Sequence, residues 1–287
     1  QRKDWHGWIN TIIQNNLFAL PVGLEIGWVR YHHLFRDFLQ EHLSREHPEE
    51  IPSILQKLAQ AYETRSEWEK AYHVQKRLED MDALAGLIER AAPHLLPRAL
   101  VTLETWLKNL PPSIRGIRPG LLSIQGSIEY MKGNLKDGVC LQNQAESIFR
   151  ERDDPFGLAL TLTRRATVHR FLGDYQSALQ DTEDAIGLTK SNDDLQLIFA
   201  DALREKGLSL FRQGQSRQSV KILERALKIY TRLDDTSHIP ILMMETGMAY
   251  AALGKEDETQ RLLEQALQIW KQSGNLTWQA NALNNLG

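Results

Sequence analysis

The chain has 287 residues, of which 42% are hydrophobic and 25% charged. This is enough for a sizeable folded core and excludes a disordered, collagen-like or disulfide-scaffold class. A net charge of −3 and a pI near 6.3 leave no basic footprint for wrapping a nucleic-acid duplex, so direct nucleic-acid binding is not expected.

The start, Gln1-Arg2-Lys3-Asp4-Trp5, is not a signal peptide, and no apolar run reaches the ~20 residues that cross a bilayer. With no Met at position 1, the chain is expected to be cut from a longer one. Asp4 to Asn16 holds no lysine or arginine, so a DNA-reading helix is not predicted there. Leu17-Phe18-Ala19-Leu20 and Trp28-Val29-Arg30-Tyr31 alternate with apolar bias around Gly23 and Gly27, which predicts a short β-hairpin. A helix from His32 to about Glu46 follows, with Leu34, Phe35, Phe38, Leu39 and Leu43 on or near one face. Hairpin plus helix suits the C-terminal part of a winged-helix domain over residues 1–47.

Residues 48–120 read as an irregular helical arm punctuated by Pro93, Pro97, Pro111-Pro112 and Pro119. Within it, Leu58-Ala59-Gln60-Ala61-Tyr62 and Trp68-Glu69-Lys70-Ala71-Tyr72 predict a helical hairpin.

From residue 121 the chain repeats itself. Gly133, Gly173, Gly214 and Gly254 recur at intervals of 40, 41 and 40 residues, and Ala145, Ala185, Ala226 and Ala266 follow twelve residues after each. A second small-residue column, Gly126, Ala166, Gly207, Gly247 and Gly287, runs in step. Small residues let two helices approach closely, and a turn glycine accepts the left-handed conformation that ends a helix. Second helices such as Val220, Leu223, Ala226, Leu227 and Tyr230 carry apolar residues at helical spacing. Pairs of aspartates ending at Asp154, Asp194 and Asp235 precede new first helices and predict N-caps rather than a metal site. Cys140, the only cysteine, reads as a small apolar residue inside a helix, and a single cysteine agrees with a reducing, cytoplasmic location. The chain stops at Gly287 inside the first helix of a fifth repeat, leaving Leu283 and Leu286 without a partner helix, so further repeats are expected to follow.

The unit of small residue, large residue, turn glycine and alanine resembles the tetratricopeptide repeat in a long form of about 40 residues. Gly247-Met248-Ala249-Tyr250-Ala251-Ala252-Leu253-Gly254 matches best, whereas the first copy has Gly138 and Gln142 where small and apolar residues are preferred. The predicted fold is all-α, an α-α superhelix of tetratricopeptide-like repeats over 121–287, preceded by the arm and a winged-helix remnant.

Arg30-Tyr31-His32-His33-Leu34-Phe35-Arg36-Asp37-Phe38-Leu39 resembles the segment closing the winged-helix domain of STAND-type signalling ATPases, nearest to the large LuxR-like regulators related to the maltose-regulon activator. The resemblance extends to the order of domains, with the arm ending in Trp106-Leu107-Lys108-Asn109-Leu110-Pro111. It implies a sensor fragment of a signal-transduction ATPase, acting as a transcriptional regulator. Its partners would be a protein, peptide or small-molecule effector and its own ATPase module, with oligomerisation on activation. It also implies that His32, with Phe35, Asp37 and Phe38 at matching spacing, contacts an ADP phosphate in the intact protein. No G-x-x-x-x-G-K-[ST] loop is present. ATP or ADP is therefore expected for a missing upstream module and no cofactor for this fragment. A plain repeat scaffold without nucleotide control is the alternative.

No H-E-x-x-H, G-x-S-x-G or cysteine–histidine arrangement occurs, and Glu41-His42 and Glu46-His47 lack zinc spacing, so no catalytic or metal site is expected. Binding is expected on the concave side formed by first helices. Counting from the small-residue column nominates Thr163 and Thr167 with Arg170, then Arg204 and Leu208, Met244 and Met248, and Asn284. Methionines with a few polar groups suit a peptide or a small polar ligand with an apolar part. The run Arg164-Arg165, then His169-Arg170, is either an anion acceptor or a solvated helix face.

Overall fold

The computed structural model describes residues 11, 15, 19–21 and 29–286. Leu17, Phe18, Gly23, Gly27, Trp28, Gly287 and most of Asp4 to Asn16 lie outside the described residues, as does the side chain of Leu286. The chain divides into two compact units, Gln1–Leu84 and Ala85–Gly287.

In the first unit, β1 (Ala19–Pro21) pairs antiparallel with β2 (Val29–Tyr31), Leu20 opposite Arg30. Helix α1 (His33–Glu46) follows at once, with His32 at its N-cap position. Phe35, Leu39 and Leu43 are half-buried along α1, while Leu34 and Phe38 are 66% and 57% exposed. After a 3-10 turn (Pro48–Glu50), α2 (Ile51–Thr64) and α3 (Trp68–Lys76) close on Leu55, Ala59 and Val74, which is the hairpin predicted around Tyr62 and Trp68.

The unit boundary falls inside α4 (Met81–Leu95), which carries Pro93 in its last turn. Helices α5 (Leu100–Lys108) and α6 (Pro112–Arg115) are short, and prolines occupy first-turn positions of α6 and of α7 (Pro119–Met131), where the missing N–H has no intrahelical partner to lose. Then come the repeats: α7 with α8 (Leu135–Glu151), α9 (Pro155–Leu172) with α10 (Tyr175–Thr189), α11 (Gln196–Arg212) with α12 (Ser216–Arg232), α13 (Ile239–Ala251) with α14 (Glu256–Gln272), and α15 (Leu276–Leu286). Each first helix packs on its own second helix, each second helix on the next first helix, and successive first helices touch directly.

The four turn glycines take φ of +89°, +79°, +79° and +68° in chain order. After each of them, the next N–H reaches back five residues, as in Asp174 to the His169 carbonyl at 2.9 Å, closing the helix with a Schellman bond. The aspartate pairs divide this work at the other end of the hairpin. Asp153 and Asp234 take the left-handed position themselves, with φ of 51° and 54°. Asp154 then caps α9 by accepting the Gly157 N–H at 2.9 Å, and Asp235 accepts from Ser237 and His238. Asp194 is not a cap, contrary to expectation: it lies in a 3-10 turn (Asp193–Leu195), and its own N–H donates to the Asn192 side chain.

The small-residue column marks real close approach. A methyl group on Gly207 would lie 2.6 Å from Leu223 Cδ2, and one on Gly126 2.9 Å from the Gly138 carbonyl oxygen. Ala145, Ala166, Ala185, Ala226 and Ala266 are fully buried at the same contacts, and the apolar clusters follow one another along the stack. The irregular first repeat has its own solution. Gln142 is fully buried, accepts from Ser123 Oγ at 3.1 Å and donates to the Ser123 carbonyl at 2.9 Å and to Ser127 Oγ at 3.4 Å. Cys140 does sit in a helix, α8, but is exposed rather than packed. Leu283 is 55% exposed on α15.

Candidate ligand-binding groove

Within the second unit, one face of α7, α9, α11 and α13, together with the turn after α4, encloses a groove of about 630 Å³. This falls within the ~300–1,000 Å³ typical of small-molecule sites. Helix α9, at its centre, is held at both ends by the Asp154 cap and the left-handed Gly173. It has no single apolar face because it packs on both neighbouring hairpins and also fronts the groove.

Of the nominated residues, Thr163, Thr167, Arg170, Arg204, Leu208, Met244 and Met248 all line this groove. Asn284 does not. It is exposed on α15, and the residue of that helix reaching α13 is Asn285, whose amide lies 3.9 Å from Met244 Sδ.

The basic run is split between two faces, as 100° per residue demands. Arg165 turns away from the groove to Asp181, at 2.9 and 2.6 Å, and to Glu146. Burial works against its charge, but these carboxylates outweigh it and raise its pKa. His169 lies on the same side, 3.6 Å from Asp174 and 3.9 Å from Asp181. Arg164 and Arg170 face the groove.

Charged side chains tie successive first helices together along the groove. Arg170 on α9 binds Glu205 on α11 at 3.0 Å. Arg204 on α11, which the sequence alone leaves isolated, makes a two-point pair with Glu245 on α13, Nε to Oε2 at 2.7 Å, and lies 3.9 Å from Glu205. Burial opposes the Arg204 charge, yet Glu245 raises its pKa. Asp201 accepts the Tyr230 hydroxyl; burial pushes the Asp201 carboxyl up, partly offset by that hydrogen bond. His238 stacks on Tyr230 with ring centroids 5.1 Å apart and contacts Asp235 at 2.7 Å. Arg170 lies over the Phe171 ring at 4.6 Å, and that ring leans on Tyr130.

Arg164 differs from its neighbours. Its Nη1 donates to Ser123 Oγ at 3.0 Å, and among the described residues no carboxylate lies within ion-pair distance of it. Burial pushes its guanidinium down to about 10, with Asp201 acting in the opposite sense, so it stays charged at neutral pH. Asp201, Glu205 and Glu245 were not nominated from sequence. One signal was available: Arg204 and Glu245 are 41 residues apart, one repeat period, so complementary charges offset by a period mark bonds between first helices.

At the N-terminal segment, His32 is exposed, its carbonyl accepts the Arg36 N–H at 2.9 Å, and its ring lies 4.3 Å from that of His33. Asp37 is engaged by Arg36 at 2.8 Å, and Tyr31, Phe35 and Phe38 form a chain of ring contacts. Among the described residues, three possible metal-ligating side chains gather at His47, Glu49 and Glu50, all exposed. His47 Nδ1 lies 3.5 Å from Glu49 and 4.0 Å from Glu50 at the surface.

Residues 1–51 match the family described as the MalT winged helix domain. No curated protein matches the chain in sequence. The fold is similar to that of a Rap protein solved in complex with competence and sporulation factor, with a TM-score of 0.60 at 14% identity, over 83% of this chain and 70% of that one. It is similar to a STAND signal-transduction ATPase with a tetratricopeptide repeat sensor from Pyrococcus horikoshii, with a TM-score of 0.58 at 15% identity, over 83% of this chain but 41% of that one. It is also similar to a chain of the APC/C hetero-tetramer Cut9-Hcn1, with a TM-score of 0.66 at 16% identity, over 88% and 46% of the two. These structures share the tetratricopeptide-like superhelix, which is therefore the fold of the repeat region.

Proposed function

We propose that this chain is the sensor portion of a STAND-type regulator of transcription, and that the groove between its first helices receives the effector. The observation that carries the reading is the construction of the groove. It is lined by four successive first helices, with Arg170–Glu205 and Arg204–Glu245 joining α9 to α11 and α11 to α13. A ligand that touches several of these helices has different contacts when their spacing changes, and such differential affinity is what moves a protein between resting and active states. The match of residues 1–51 to a winged-helix domain supports placing the sensor beside a nucleotide module, to which His32 would contribute an ADP phosphate contact in the whole protein. In this reading the fragment is not an enzyme and holds no cofactor, acts in the cytoplasm, and controls oligomerisation through its own ATPase module. The effector is a peptide, a protein segment or a small molecule.

The test is retention of ligands by the whole chain after dialysis against fractionated peptide and metabolite pools, read by mass spectrometry, compared with Met248→Trp. Met248 is half-buried on the groove wall, so the larger ring fills the space without entering the core. Compounds retained by the wild-type chain and lost from Met248→Trp, at equal melting temperature, support the groove. Equal retention by both removes it.

A further inference from the structure

We infer that the groove takes a small monocarboxylate carried on an apolar body, its carboxylate seated on Arg164. This rests on the groove being the effector site.

The charges inside the groove are almost all satisfied within the chain. Glu205 is held by Arg170, Glu245 by Arg204, and Asp201 accepts the Tyr230 hydroxyl. Among the described residues two lining arginines have no carboxylate partner: Arg212, which is exposed, and the half-buried Arg164, whose partner is the neutral Ser123 hydroxyl. A guanidinium has five N–H donors in a planar fork shaped for a carboxylate, and here most of that fork is left for something outside the chain. A half-buried charge without a counter-ion is unfavourable until one arrives.

The group is also aimed. Ser123 Oγ, which accepts from Arg164, donates to Gln142 Oε1, and Gln142 is fully buried and anchored again on the Ser123 carbonyl. A buried polar chain spends its hydrogen bonds to hold one side chain in one orientation, as supporting residues do around a binding group.

Charge count selects among anions. Four arginines and three carboxylates line this space. With Glu205 and Glu245 held by Arg170 and Arg204, and Arg212 exposed, Arg164 beside Asp201 is the half-buried guanidinium left for a ligand. One carboxylate balances it, whereas a phosphate dianion adds a second negative charge next to Asp201. Much of the remaining wall is apolar, with Leu160, Leu197, Leu208, Met244 and Met248 among its residues. A free small acid and the C-terminus of a short peptide present the same chemistry to this wall.

Calorimetric titration of the whole chain separates the cases, using octanoate and octanamide, N-acetyl-leucyl-leucine as acid and as amide, and inorganic phosphate. Acids are expected to bind at least tenfold more tightly than amides. Arg164→Gln should weaken the acids by tenfold or more without changing the amides, and Arg164→Lys should recover part of the loss. Melting curves of both variants confirm folding. Preference for octanoate points to a free acid and preference for the dipeptide to a peptide terminus. Acids and amides binding equally, phosphate alone binding through Arg164, acids indifferent to Arg164→Gln, or no probe binding would each overturn the inference. Acid and amide binding that is equal but abolished by Met248→Trp overturns the carboxylate and leaves the groove intact. Ligand retention from pools that is unaffected by Met248→Trp removes the groove itself.

Discussion

Arg164 and Ser123 lie 41 residues apart, close to one repeat period, and meet at 3.0 Å with the guanidinium donating to the hydroxyl. Ser123 in turn donates to Gln142, which with Gly138 makes the first repeat depart from its pattern. The departure therefore sits behind the half-buried groove arginine that, among the described residues, has no carboxylate at ion-pair distance.

Gln142→Leu restores the apolar residue that the repeat prefers, yet it is expected to destabilise the fold. The substitution removes the buried acceptor of the Ser123 hydroxyl and one donor to the Ser123 carbonyl and Ser127 hydroxyl, the carbonyl keeping the Ser127 hydroxyl as donor. The stranded hydroxyl costs on the order of 1–3 kcal/mol, only partly offset by the added packing of leucine. Urea denaturation measures this. Equal or greater stability of the variant would show that the polar chain contributes nothing.

Arg164→Met should do the opposite. The methionine removes a half-buried charge that has only a neutral partner and keeps much of the apolar stem. A gain of about 1 kcal/mol, seen as a higher denaturation midpoint, is expected. A large loss would mean that Arg164 is structural, packed for the fold rather than held ready for a ligand.

The parts legible in the sequence are those governed by local geometry and by period. Gly133, Gly173, Gly214 and Gly254 are visible because a left-handed helix end favours glycine, and Gly207 because Leu223 leaves no room for a methyl group. Seven of the residues nominated by column counting line the groove because first helices keep their register from repeat to repeat, whereas Asn284 is not among its lining residues. What was hidden depends on contacts between helices far apart in sequence. Arg164 and Arg165 are indistinguishable as neighbours in a basic run, and only packing shows that one faces Asp181 and Glu146 while the other faces the groove. Asp194 resembles Asp154 and Asp235 in sequence, but Asn192 supplies the side-chain acceptor in that loop.

Gly207→Ala tests the close approach of α11 and α12. The new methyl group would sit 2.6 Å from Leu223 Cδ2, and Leu223 is fully buried, so it has little freedom to retreat. Overpacking of this kind costs typically 1–3 kcal/mol, more than the helix propensity gained from alanine. Combining it with Leu223→Val should recover part of the loss, and a double-mutant comparison by chemical denaturation would show the coupling.

Glu245→Gln would leave Arg204 with only the 3.9 Å contact to Glu205. Breaking a buried pair from one side costs about 3–5 kcal/mol, but the Arg204 side chain is 24% exposed, so water screens part of that and roughly 1–3 kcal/mol is expected. Arg204→Met with Glu245→Leu should cost less than Glu245→Gln alone, because no unpaired charge remains. The outcome that sinks this account is a double variant less stable than the single one.

Asp201 and Glu146 should give opposite pH dependences. For Asp201, burial raises the carboxyl pKa in the folded chain. Its contribution to stability is thus fully present below the unfolded value, about 3.9, and is lost as pH rises through the folded pKa. For Glu146, burial raises the pKa but hydrogen bonds from Arg165 and Arg150 lower it further, leaving it below its ordinary value. Its contribution is present above the unfolded value, about 4.3, and is lost as pH falls through the folded pKa. Asp201→Asn keeps an acceptor for the Tyr230 hydroxyl while removing the charge. Denaturation from pH 4 to 7 should show the variant gaining on the wild-type chain as pH rises, whereas the wild-type advantage over Glu146→Gln should hold across that range and shrink as pH falls below about 4.3. A parallel pH course for Asp201→Asn and the wild type would mean that Asp201 titrates as an ordinary surface carboxylate and that Tyr230 does not hold it at the groove floor.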